Sequence, residues 1–81
     1  MNVAIEKCLN KEIVEEAVID CVPGLKKCKV LEFRVLKVIE QIKLSESISK
    51  IRINLAAKTE KEVLDITAWF YIDDSIMKYY S

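Results

Sequence analysis

The feature that most constrains this chain is a pair of consecutive alternating stretches separated by a few polar residues. In the first, Ile51, Ile53, Leu55 and Ala57 share one parity and Lys50, Arg52, Asn54 and Lys58 the other, with only Ala56 blurring the period of two. In the second, Leu64, Ile66, Ala68, Phe70 and Ile72 form an unbroken apolar register, while Val63, Asp65, Thr67, Trp69 and Tyr71 take the opposite face. Side chains of an extended strand alternate between faces, so each stretch fits a half-buried strand and the two together fit an antiparallel hairpin. A loop at 58–61 sets Ala57 opposite Glu62, Leu55 opposite Leu64, Ile53 opposite Ile66 and Ile51 opposite Ala68. The two apolar faces then coincide. The same register places Lys50 opposite Trp69 and Arg52 opposite Thr67 on the outer face. A slip of one residue would turn one strand's apolar side chains toward solvent.

Upstream, Asn10 suits an N-cap for Lys11–Cys21, where Ile13, Val14, Ala17, Val18 and Cys21 share an arc opposite Lys11, Glu12, Glu15, Glu16 and Asp20. The acidic first turn also complements the helix dipole. Pro23 and Gly24 end this helix, because the residue before proline avoids helical geometry and glycine accepts a positive φ. Asn2–Cys8 is too short to assign by period, although Val3 and Ile5 would suit a short edge strand. Residues 28–44 read as a strand if a bulge near Leu36 resets the parity between Leu31, Phe33, Val35 and the following Leu36, Val38, Ile42, Leu44, or as a helix with Cys28, Leu31, Val35, Val38 and Ile42 at a/d spacing and Val30, Phe33 and Leu36 off that face; the density of β-branched and aromatic residues favours the strand. Asp73, Asp74 and Ser75 close the last strand and cap a short helix containing Ile76, Met77, Tyr79 and Tyr80. The expected architecture is α+β: one N-terminal amphipathic helix packed on a three-stranded antiparallel meander, or four-stranded if Asn2–Cys8 adds an edge.

A single glycine is little for tight hairpins, and this keeps an all-α alternative open. Residues 34–41, 47–57 and 60–73 can be drawn as helices in which Ile48, Ile51, Leu55, Val63, Ile66, Phe70 and Ile76 are spaced much as in winged helix-turn-helix domains. That resemblance covers about half of the chain and implies a nucleic-acid-binding transcriptional regulator. Ala56 or Ala57 and Asp74 stand where glycines are often found, and Glu60, Glu62 and Asp65 would turn negative charge toward phosphates. The helix-then-meander order also resembles the cystatin-like scaffold. Of its QxVxG loop only Gln41 is kept, so the resemblance implies architecture and no activity.

At 81 residues the chain is expected to form one domain, 1–81, near the size at which a core alone is only marginally sufficient. Thirteen basic residues balance thirteen acidic ones, which gives no overall attraction to nucleic acid or an anionic membrane. No apolar run is long enough to span a bilayer, and the opening MNVAIEKC lacks the layout of a signal peptide, so a cytoplasmic protein without membrane contact is expected. Cys8, Cys21 and Cys28 have no CxxC spacing and no histidine to complete a zinc site; reduced, mostly buried thiols are expected, with no metal or cofactor.

Without histidine, a serine or cysteine nucleophile lacks its commonest base, and no nucleotide-binding or hydrolase motif occurs. No enzyme is expected. Asp73 and Asp74 read as a turn or N-cap rather than a Mg²⁺ site, Glu15 and Glu16 as a solvated helix face, and Lys26, Lys27 and Lys29 as solvated charges. What remains is the outer hairpin face, where Trp69, Tyr71 and Val63 lie beside Lys50 and Arg52. Tryptophan, tyrosine and arginine are enriched at interface hot spots, so this face is the candidate contact surface of a non-catalytic protein-protein interaction module, homodimeric or a subunit of a larger assembly. Two other readings stand beside it: the first strand or the Tyr79-Tyr80 segment covers Trp69 within the monomer, or the aromatics stack on nucleic-acid bases, which the neutral net charge disfavours.

Overall fold

The alternating stretches form the middle and one edge of an antiparallel sheet. A computed structural model describes residues 2–80. Among these residues, helices α1 (Asn2–Cys8) and α2 (Lys11–Cys21) precede strands β1 (Val30–Lys43), β2 (Ile48–Thr59) and β3 (Val63–Asp73), and helix α3 (Asp74–Tyr80) follows. The strand order is β1-β2-β3. This is the expected α+β meander with an N-terminal helix packed on it. The all-α alternative is overturned, since 34–41, 47–57 and 60–73 lie largely in strands.

The Asn2–Cys8 segment is a helix and adds no fourth strand. Ala4 and Ile5 of this helix are buried, and Leu9, just beyond its end, is buried as well. In α2, Asn10 Oδ1 accepts the Ile13 N–H at 2.9 Å, the capping bond that the sequence predicts. Val14, Ala17 and Val18 form the buried stripe, but Ile13 and Cys21 at its flanks are exposed. Glu15 is not a solvated side chain: its Oε2 accepts the Val30 N–H at 2.7 Å and ties α2 to the start of β1. Pro23 and Gly24 occupy the centre of a turn closed by Leu25 N–H to Val22 C=O at 3.2 Å, and Gly24 has φ +82 as a type II turn demands.

The β2–β3 pairing keeps the expected parity but is displaced by two residues. Leu55 lies opposite Ile66, Ile53 opposite Ala68, Ile51 opposite Phe70 and Ala57 opposite Leu64; on the outer face, Lys50 lies opposite Tyr71 and Arg52 opposite Trp69. Alternation distinguishes the two faces but is blind to a slip of two, and the turn makes the choice. Thr59 N–H donates to Glu62 C=O at 2.8 Å, so the loop is Glu60-Lys61 and not the four residues expected. No non-glycine residue among those described has a positive φ, which excludes the primed turns common in two-residue hairpins. Thr59 replaces that chemistry. Its Oγ1 accepts from Lys61 N–H at 3.3 Å and Glu62 N–H at 3.1 Å and donates to Glu62 C=O at 2.9 Å. Ser45 does the same for the β1–β2 turn, accepting from Ser47 N–H at 3.3 Å and Ile48 N–H at 3.1 Å.

The expected bulge near Leu36 is present, between Val35 and Lys37, with further irregularities between Val30 and Glu32 and between Val38 and Glu40. Each extra residue resets the parity, so Phe33, Val35 and Val38 all lie opposite buried β2 residues. The inner face of β2 is closed off completely: Ile51, Ile53, Leu55 and Ala57 are 0% exposed. They join Ile5, Val14, Val18, Val35, Ile66, Phe70 and Ile72 in one apolar cluster against which Met77 of α3 also packs. Full burial of each large aliphatic side chain is worth about 1.5–3 kcal/mol.

Two substitutions test this account by urea denaturation. Ile53→Asp sets an unpaired carboxylate in the centre of the cluster and should cost more than about 4 kcal/mol, while Thr59→Val, which keeps the shape and loses the hydroxyl, should cost about 1 kcal/mol.

Candidate functional site

The helices pack against the inner side of the sheet, and this leaves the outer side exposed. All six outward residues of β3, from Val63 to Asp73 in alternation, are exposed. Across the sheet, Tyr71 aligns with Lys50 and Ile42, and Trp69 with Arg52 and Glu40. The Lys50 ammonium lies 5.0 Å from the Trp69 ring centroid and 5.9 Å from that of Tyr71, over both negative ring faces. Lys50 and Arg52 are therefore brought together with Trp69 and Tyr71 as one patch. Val63 is not part of it. It pairs with Lys58 beside the turn, six positions from Trp69, or about 20 Å along the strand.

Side chains that the hairpin alone could not reveal complete the patch. Ile42 is half-exposed on β1 and aligned with Lys50, while Ile39 and Leu36, also half-exposed, mark two bulges of the same strand. Their position depends on those bulges, which a count of alternating residues does not fix. Tyr79 and Tyr80 do not belong here: their rings meet edge to face at 5.1 Å, and Tyr80 takes the Lys7 ammonium of α1 at 5.3 Å. Lower on the outer face, Asn54 donates to Asp65 and, at 3.1 Å, to the Ile66 carbonyl, tying β2 to β3.

On the inner side, Ser49 is the buried polar residue of the sheet, 1% exposed. Its Oγ lies 2.8 and 2.9 Å from the two carboxylate oxygens of Asp74 and donates its proton there; Gln41 Nε2 donates to Ser49 Oγ at 3.5 Å. Lys43 Nζ stands 3.9 Å from the same carboxylate. The buried hydroxyl thus has both a donor and an acceptor partner. The neighbouring Asp73 caps α3, its Oδ1 accepting Ser75 N–H at 2.9 Å, Ser75 Oγ–H at 2.6 Å and Ile76 N–H at 3.4 Å. These bonds from Ser75 hold its carboxyl below the ordinary range. The stabilisation they give is present above that range and is lost as pH falls through the lowered value.

Among the described residues, no cluster of His, Cys, Asp and Glu could hold a metal ion. Cys8 and Cys28 are half-buried, while Cys21 is exposed, contrary to the expectation of mostly buried thiols. Burial pushes the Cys8 and Cys28 thiols up, with Asp73 adding to the effect on the first and Glu15 on the second. Exposure of Cys21 follows from its place at the flank of the α2 stripe, one turn beyond Val18. No family model, curated protein or solved structure matches this chain.

Thiol accessibility provides a direct check. With a disulfide reagent near neutral pH, Cys21 should react rapidly in the folded protein, while Cys8 and Cys28 should react slowly until urea is added.

Proposed function

We propose that this chain is a non-catalytic protein-protein interaction module, acting as a homodimer or as a subunit of a larger assembly, with the outer sheet face around Trp69 as its contact surface. One observation carries the reading: the helices cover one side of the sheet, while the other presents Trp69, Tyr71 and Ile42 around the Lys50 and Arg52 cations. Large apolar side chains grouped on a solvated face cost hydration free energy that a partner surface removes. Aromatic anchors ringed by charge have the composition of an interface centre and its rim. The absence of histidine and the engagement of Ser49 by Asp74 favour binding over catalysis. The winged-helix regulator required helices over 47–57 and 60–73, and that alternative falls with them.

Trp69→Lys tests the surface. Circular dichroism should be unchanged and stability should fall by less than about 1 kcal/mol, because the side chain sits outside the core, while association followed by sedimentation should weaken at least tenfold. Unfolding of the variant with unchanged association would make Trp69 a structural residue and remove the surface.

A further inference from the structure

We propose that β3 pairs edge to edge and antiparallel with β3 of a second copy, joining two sheets into one of six strands with Trp69 and Tyr71 at the seam. This rests on the interaction-module reading and names its partner.

The backbone supplies the first observation. Thr59 N–H bonds to Glu62 C=O at one end of the β2–β3 ladder and Asp74 N–H to Ser47 C=O at the other, both at 2.8 Å, and the register between them is unbroken. Bonded pairs alternate in an antiparallel ladder, so Leu64, Ile66, Ala68, Phe70 and Ile72 direct their amides and carbonyls to β2. Those of Val63, Asp65, Thr67, Trp69 and Tyr71 therefore point to the other edge. No strand lies there, and among the described residues no backbone hydrogen bond from a loop or helix reaches them. Cys21 Sγ donates to the Thr67 carbonyl at 3.6 Å, and a thiol is a weak donor that an amide replaces readily.

The two sheet edges are guarded unequally. Isolated edges are normally blunted by bulges, charges or proline. β1 has three irregularities, carries Glu32, Arg34, Lys37, Glu40 and Lys43, and its first amide is taken by Glu15. β3 has no bulge, and its residues 66–72, ITAWFYI, include no charge and no proline. Such a run on an open edge is a ready template for pairing with a copy of itself.

Charge selects a second copy in antiparallel orientation. Asp65 lies toward the turn, and the Lys50 ammonium lies over the rings of Trp69 and Tyr71 toward the other end. Setting Thr67 against the partner's Trp69 puts Asp65 opposite the partner's Tyr71, beside the partner's Lys50. The two-fold axis repeats this contact, and Asp73 falls opposite Val63, so that neither carboxylate of β3 faces the other within the paired strands. Because each copy has one unguarded edge, the assembly closes at two.

Sedimentation equilibrium of the full chain and of two variants tests the pairing. Thr67→Pro removes an amide that faces the open edge, so it breaks no bond to β2, and Ile66 is already extended as a residue before proline requires. Thr67→Lys keeps the amide and places a charge at the seam, and it decides the outcome if the proline variant fails to fold. The expected result is a dimer for the native chain, with association weakened at least tenfold in both variants and circular dichroism retained. A native chain that stays monomeric at all concentrations overturns the pairing. A dimer untouched by either Thr67 variant but dissolved by Trp69→Lys also overturns it, while leaving the outer face as an interface between copies. A dimer indifferent to all three variants overturns both readings.

Discussion

The structure depends on the burial of one face of β2. Ile51, Ile53, Leu55 and Ala57 point inward from the central strand, have no solvent exposure and belong to the cluster on which the other elements pack. β1 and β3 flank them within the sheet, α2 lays Val14 and Val18 over them, and Ile5 of α1 completes the cover. In a chain of 81 residues this single cluster provides most of the apolar burial, and small domains have little stability in reserve. Because the side-chain period of a strand is two, committing one face to the helices leaves the other face to solvent. The Trp69 patch is thus a consequence of the same alternation that builds the core.

How much of this was legible in the sequence follows from what alternation can and cannot encode. It fixed the inner and outer faces of β2 and β3 correctly, residue by residue, but allowed the pairing to slide by two, because such a slide leaves every side chain on its own face. The decision belongs to Thr59, whose hydroxyl closes a two-residue turn without glycine or asparagine. Ser45 acts likewise at the other turn. The scarcity of glycine therefore did not argue for helices. It reflected hairpins closed by hydroxyls, a signal present in the sequence as a serine or threonine at the first turn position. α1 is not legible, since seven residues give too few periods to separate helix from strand, and the role of Glu15 is hidden because its partner is a backbone amide fifteen residues away.

For the candidate site the balance is similar. Parity alone places Trp69, Tyr71, Lys50 and Arg52 on one face, where they form one patch, but it leaves their neighbours open: Lys50 stands opposite Tyr71 and reaches Trp69 along the diagonal. Val63 shares their face but lies at the far end of the strand, a distinction that parity does not make. The place of Ile42 and Ile39 in the patch is not legible in the sequence, because their alignment depends on three irregularities in β1, of which only the one at Leu36 shows in the pattern. Those irregularities guard one edge of the sheet and leave the regular, uncharged β3 as the edge available for pairing. The face and the edge thus meet along the same residues, and this links the aromatic patch to self-association.

Amide hydrogen exchange along β3, followed by NMR at low and high protein concentration, tests this account most directly. Leu64, Ile66, Ala68, Phe70 and Ile72 are expected to exchange slowly at both concentrations, because they bond to β2, whereas Thr67, Trp69 and Tyr71 should exchange fast when dilute and slowly when concentrated. Uniform protection of all eight amides at low concentration would contradict it, because the edge would then be covered within a single copy.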